Sequence, residues 1–206
     1  MRASNSWDKI TISQFVNINN INDSDLDLLD KQTEITAILY NTTTSNIEDL
    51  GVNEYKEAVQ IIKNLDKPFP TEPKQVFKVN GKTYRFMHEI NKWSWGQWIS
   101  VMELLKDKTH KEVLENLARL LSIVCVPMKR NWRGKLVPCK FDGYKVSEIE
   151  QEFYDHLTMD VANPISVFFY ALSTNLTVGL QDYFVEVANK KLKEAQEILS
   201  SERLAG

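Results

Sequence analysis

The fold turns on the stretch Gln75-Val76-Phe77-Lys78-Val79-Asn80-Gly81-Lys82-Thr83-Tyr84-Arg85-Phe86. Apolar and polar residues alternate on both sides of Asn80-Gly81. Alternation with a period of two is the mark of a half-buried strand. Asn-Gly supplies the two positive-φ positions of a two-residue turn, so the stretch predicts a β-hairpin over about 75–87. On either side of it the apolar spacing becomes helical. The resulting expectation is an α+β fold, mostly α-helical, with many short helices around a central hairpin.

Upstream, Asp66-Lys67-Pro68-Phe69-Pro70-Thr71-Glu72-Pro73 cannot continue a helix and reads as a stiff linker. It predicts an N-terminal helical segment over 1–66, a linker over 67–74 and a hairpin-plus-helix domain over 75–206. Within 1–66 the apolar sets are Ile12, Phe15 and Val16, then Leu28 to Leu39, then Ile47 to Leu65. Six pairs have capping-box spacing: Thr11/Gln14, Ser24/Asp27, Ser45/Glu48, Ser94/Gln97, Thr109/Glu112 and Ser147/Glu150. Downstream, Val113 to Val124 predicts an apolar helix ending at Pro127. Residues 128–145, with Gly134, Pro138 and Gly143, predict a second hairpin or a loop. A helix from about Ser147 follows, then one capped by Asn163 with Pro164 at its first position. From about Gly179 an amphipathic helix carries Leu180, Tyr183, Phe184 and Val187 on one stripe. The two halves share an order of elements: a tryptophan (Trp7, Trp93), a short helix, then an apolar helix. This spacing suggests an internal duplication.

Composition narrows the function. The 206 residues carry 43% hydrophobic and 26% charged side chains, the ordinary globular range. A net charge of −3 argues against a chain built to coat nucleic acid or an anionic membrane. The first residues lack the apolar core of a secretory signal, and the apolar run Ile165 to Leu172 is too short for a bilayer. Cys125 and Cys139 are expected to be unpaired thiols of a cytosolic chain. The sequons at Asn41 and Asn175 then read as chance matches.

Catalytic signatures are missing. The run Asp23, Asp25, Asp27, Asp30, Glu34 has the rhythm of a calcium loop, but Leu28 occupies the position that needs glycine. His88, His110 and His156 lack metal-ligand spacing. No glycine-rich phosphate loop and no nucleophile elbow is present. The expectation is a protein with no catalytic, metal or cofactor residues, which acts by binding other proteins.

Three places carry interaction chemistry. Trp93-Ser94-Trp95-Gly96-Gln97-Trp98 sets Trp95 and Trp98 near one helix face, either as core packing against the hairpin or as an interface anchor. Trp132 stands among Lys129, Arg130, Arg133, Lys135 and Lys140, a patch better suited to an acidic protein surface than to nucleic acid. Tyr183 and Phe184 sit on the C-terminal stripe, which packs on the core or binds a partner helix.

The unit from Val79-Asn80-Gly81-Lys82-Thr83-Tyr84-Arg85-Phe86 to Glu89-Ile90-Asn91-Lys92-Trp93-Ser94-Trp95-Gly96-Gln97-Trp98-Ile99 resembles tail-assembly chaperone-like proteins of tailed bacteriophages infecting Bacteroidetes-type hosts. The apolar helix Glu115 to Val124, the loop Phe141-Asp142-Gly143-Tyr144 and the run Phe168-Phe169-Tyr170 extend the resemblance over roughly 75–175. Lys145 departs from it, standing where such families often carry arginine. The resemblance implies a role in tail or virion assembly in the host cytoplasm. The implied partners are phage structural proteins, such as the tape measure or tail and neck components, or further copies of the chain. The alternatives are a permanent ring, neck or tail-hub subunit of the virion and, more remotely, a host-directed enzyme or nucleic-acid module.

Overall fold

A computed structural model describes residues 4, 6–105 and 110–169. The hairpin forms as its sequence dictates. β1 (Val76–Val79) and β2 (Lys82–Phe86) are antiparallel, with Val79 opposite Lys82. Asn80 and Gly81 take φ of 45° and 78°, positive values that glycine, lacking a Cβ, adopts freely and asparagine more readily than most residues. Phe77, Val79, Tyr84 and Phe86 all point into the core. The hairpin is one half of a four-stranded antiparallel sheet in the order β1-β2-β3-β4. β3 (Cys125–Arg130) pairs with β2, setting Cys125 opposite Phe86, and β4 (Leu136–Pro138) pairs with β3. Residues 128–138 are therefore a second hairpin, turned through Gly134 at φ 73°. The architecture is α+β and predominantly helical.

The helices are α1 (Ile12–Asn22), α2 (Leu28–Tyr40), α3 (Thr44–Glu48), α4 (Val52–Val59), α5 (Trp95–Leu105), α6 (His110–Glu115), α7 (Leu117–Val124) and α8 (Val146–His156). The chain is again helical over 159–169. α7 stops at Val124 and does not run to Pro127. Pro127 lies inside β3, where its carbonyl accepts from the Cys139 amide. Its missing amide falls at the end of the β3–β4 ladder, where one bond of the pair is not made. Pro164 does not open a helix either. Helical structure begins at 159, so Pro164 sits inside it and removes one intrahelical donor.

Caps were legible only in part. Thr11/Gln14 and Ser94/Gln97 are capping boxes. Asp27, not Ser24, caps α2, accepting from the amides of Leu29 and Asp30, and Thr43, not Ser45, caps α3. Ser147 is the second residue of α8, which follows directly from a 3-10 turn at Gly143–Lys145. Thr109 lies outside the described residues, as do Tyr183, Phe184 and the expected C-terminal helix.

The core gathers where α7 and α8 cover the sheet. Leu117, Leu120, Leu121 and Val124 are buried along α7, and Phe153 reaches from α8 between Tyr84 and Phe77. Residues 67–74 do not separate two bodies. Phe69 stacks on Trp7 at 3.9 Å, and the Trp7 indole donates to the Lys67 carbonyl at 2.8 Å. Lys74 pairs with Asp160. The N-terminal strand-like segment closes onto the far end of the fold: Ile12 donates to Leu157, and Met159 donates to Ile10. The chain divides instead into compact units 1–167 and 168–206, and of the second only 168 and 169 are described.

One device appears twice. In each capping box the glutamine side chain caps its own helix with its oxygen and reaches a second helix with its nitrogen. Gln14 accepts from the Thr11 amide and donates to the Ile38 carbonyl at 3.0 Å, near the end of α2. Gln97 accepts from the Ser94 amide and donates to the Ile123 carbonyl at 3.0 Å, near the end of α7. Gln97 thereby satisfies an end carbonyl of α7, while Gln14 adds a second donor to the Ile38 carbonyl, which also accepts from the Asn41 amide. The shared device supports the duplicated order of elements. The halves then diverge, because the second inserts β3 and β4 before its next helix.

Candidate protein-interaction surface

α5 presents three environments within four residues. Gln97 is buried and ties the helix to α7. Trp98 is half-buried beside Trp93, with ring centroids 6.4 Å apart, and the Trp93 indole donates to the Met87 carbonyl at 2.7 Å. Trp95 is 74% exposed. The expected pairing of Trp95 and Trp98 on one face therefore resolves into a packed tryptophan and a solvent-facing one. Ile99, one turn on from Trp95, is also exposed.

Beside this pair lies an open groove of about 520 Å³, lined from α5 by Gly96, Ser100 and Leu104 and across from it by Ile123, Phe141 and Val146. Gly96 and Ser100 follow Trp95 and Ile99 by one step around the helix, so the exposed pair forms one rim. Their small side chains leave room for an incoming chain, and a Cβ at position 96 would meet nothing within 4 Å. The opposite lip ends at Tyr144, whose side chain is fully exposed. Sequence reasoning missed Ile99 and Tyr144. Tyr144 follows Gly143 in an Asx-type turn, where the Asp142 carboxylate accepts from the Tyr144 amide at 3.1 Å, and such a turn is a legible cue for an outward side chain.

Phe141 is also a wall of a second recess, of about 530 Å³, which contains Lys129, Lys140 and Lys145 and both thiols. Cys125 is buried, and burial pushes its thiol well above the usual cysteine range. That is the reverse of what a nucleophile needs. Trp132 is 86% exposed at the tip of the β3–β4 turn, with the Arg133 guanidinium over its ring at 4.4 Å. The basic patch thus divides between a solvated hairpin tip, with Trp132 and Arg133, and the recess, with Lys129 and Lys140.

Under the groove, α8 is clasped to the hairpin. Tyr84 donates to the Glu152 carboxylate at 2.7 Å, and Lys82 donates to the same oxygen at 2.8 Å. Burial, then this hydrogen bond and the nearby carboxylates, hold the Tyr84 phenol above its ordinary range. The clasp ties the middle of α8 to the hairpin.

Among the described residues no group of three or more His, Cys, Asp or Glu could hold a metal ion. His88 lies near the Phe86 ring, and His156 ends α8 in solvent. No helix among the described residues is long and apolar enough to cross a membrane. No protein-family model, curated protein or solved structure matches the chain.

Proposed function

We propose that the protein acts by binding another protein, without catalysis, and that the contact is made along the α5 groove. The observation that carries this is Trp95, a large exposed aromatic held on a rigid helix beside an open, partly apolar groove. Tryptophan in that position contributes large contact area at low entropic cost and is enriched among interface hot spots. The groove is open and bordered by helix α5, and an α-helix laid along it is the partner it suits.

The resemblance over 75–175 supplies the setting, assembly of a phage tail, with a long helical component such as the tape measure as the partner. An assembly chaperone leaves its client, whereas a ring or neck subunit stays. Quantitative mass spectrometry of purified particles and of infected-cell lysate separates them. The chaperone reading expects the chain to be plentiful in lysate and missing from particles. A stoichiometric presence in particles overturns it in favour of a permanent subunit.

A further inference from the structure

The lysine recess and the β3–β4 hairpin carry charge that the rest of the protein does not explain. Residues 129–145 hold six cations and one carboxylate, a net +5 in a chain whose total is −3. Among the described residues Lys129, Lys140 and Lys145 make no ion pair. Leu136 and Trp132 add exposed apolar surface on the same hairpin.

The complementary surface is on the same chain. The α1–α2 connection reads Asp23-Ser24-Asp25-Leu26-Asp27-Leu28-Leu29-Asp30, with four carboxylates and no cation. The sequence pattern places Leu28 and Leu29 in the apolar face of α2, yet they are 74% and 61% exposed. Two adjacent leucines at the exposed start of a helix, flanked in sequence by Asp25, Asp27 and Asp30, form a knob that the described residues leave uncovered. None of residues 23–30 lines the lysine recess, so the chain does not fill it with its own knob.

We infer that the chain self-associates head to tail, the Asp23–Asp30 knob of one copy docking in the lysine recess of the next. The aspartates meet Lys129, Lys140 and Lys145, and Leu28 and Leu29 cover Phe141 and Leu136. Because the two patches differ, the contact is heterologous, so repetition gives a ring or an open filament rather than a closed twofold dimer. The recess shares only its Phe141 wall with the α5 groove, and none of the residues varied below lines that groove, so this inference and the partner-binding role are tested separately.

Sedimentation analysis of the full chain over a concentration series tests it, with Lys129→Glu/Lys140→Glu and Asp25→Lys/Asp30→Lys as the variants. Asp27 is spared because it caps α2. The wild type is expected to associate with rising concentration, and on the order of tenfold more weakly when salt is raised from about 0.05 M to about 0.5 M. Each double variant is expected to be monomeric alone, and the two mixed are expected to associate, because the intact knob of one meets the intact recess of the other and the two charge-reversed patches are also complementary. Circular dichroism checks that both fold, and Lys129→Gln/Lys140→Gln, weakening association on the order of tenfold, serves if the reversal does not. A wild type still monomeric at roughly 1 mM overturns the inference, as does association that neither reversal disturbs. A monomeric wild type that binds a synthetic acidic peptide in the recess also overturns it, assigning the recess to another acidic chain.

Discussion

Replacing Phe153 with alanine tests the packing on which the groove rests. Phe153 is completely buried, and its ring meets Tyr84 edge-on at 4.8 Å and Phe77 at 6.1 Å. It joins α8 to the β1–β2 hairpin at the centre of the molecule. Truncating a buried phenylalanine removes transfer energy and leaves a cavity, together costing about 3–5 kcal/mol. The edge-on aromatic pair contributes about 0.5–1.5 kcal/mol of the interaction beyond buried area. For a chain of this length each kcal/mol lowers Tm by about 2–4 °C, so Phe153→Ala is expected to melt roughly 6–20 °C below wild type. Urea unfolding followed by tryptophan fluorescence should show a lower midpoint at unchanged slope. Tyr144→Ala, at a fully exposed site, serves as the control and should lie within about 0.5 kcal/mol of wild type. A loss below about 1 kcal/mol at Phe153 would mean that α8 does not pack on the hairpin through this ring.

Gln97→Leu removes the acceptor of the Ser94 amide and strands the Ile123 carbonyl, at an expected cost of about 1–3 kcal/mol by chemical denaturation. Gln14→Leu should cost a smaller amount of the same kind, since Gln14 makes the same contacts in a half-buried position; no loss at either site refutes the shared device. Tyr84 keeps its proton longer when folded than when unfolded, because burial and Glu152 disfavour the phenolate. The folded state therefore binds more protons above the unfolded tyrosine value near 10, and stability is full below that pH and falls as pH rises beyond it. Tyr84→Phe should flatten that alkaline decline in a series of urea midpoints, and an unchanged decline would place the effect elsewhere.

Local chemistry was legible where a few neighbouring residues decide the outcome. Asn80-Gly81 dictates its turn, and Thr11 and Ser94 find their glutamines three residues on. Elsewhere the sequence offers several frames of similar merit. Asp27 and Thr43 win over Ser24 and Ser45 because their side-chain oxygens accept from first-turn amides, of Leu29 and Asp30 in α2 and of Asn46 in α3, and the spacing of hydroxyls alone does not reveal which frame does so. The end of α7 is decided by long-range pairing. Cys125 to Pro127 find partners in Phe86 to Tyr84, some forty residues away, and that ladder draws them out of the helix. The same limit applies to exposure. A helical apolar stripe says which residues face one way, not whether anything covers them, so Leu28 and Leu29 look like core, and Trp95 and Trp98 look alike.

The central claim is that Trp95 and the α5 groove bind a helical protein. It is tested most directly by measuring the affinity of the full chain for the proposed partner, a helical phage tape-measure component, wild type against Trp95→Ala. Among the described residues Trp95 makes no ring contact, and it is mostly exposed, so the variant should fold as wild type does. If Trp95 is an anchor, its truncation should cost about 2 kcal/mol of binding, roughly a thirtyfold rise in Kd. Unchanged affinity in a normally folded Trp95→Ala variant would contradict the account and move the contact away from α5.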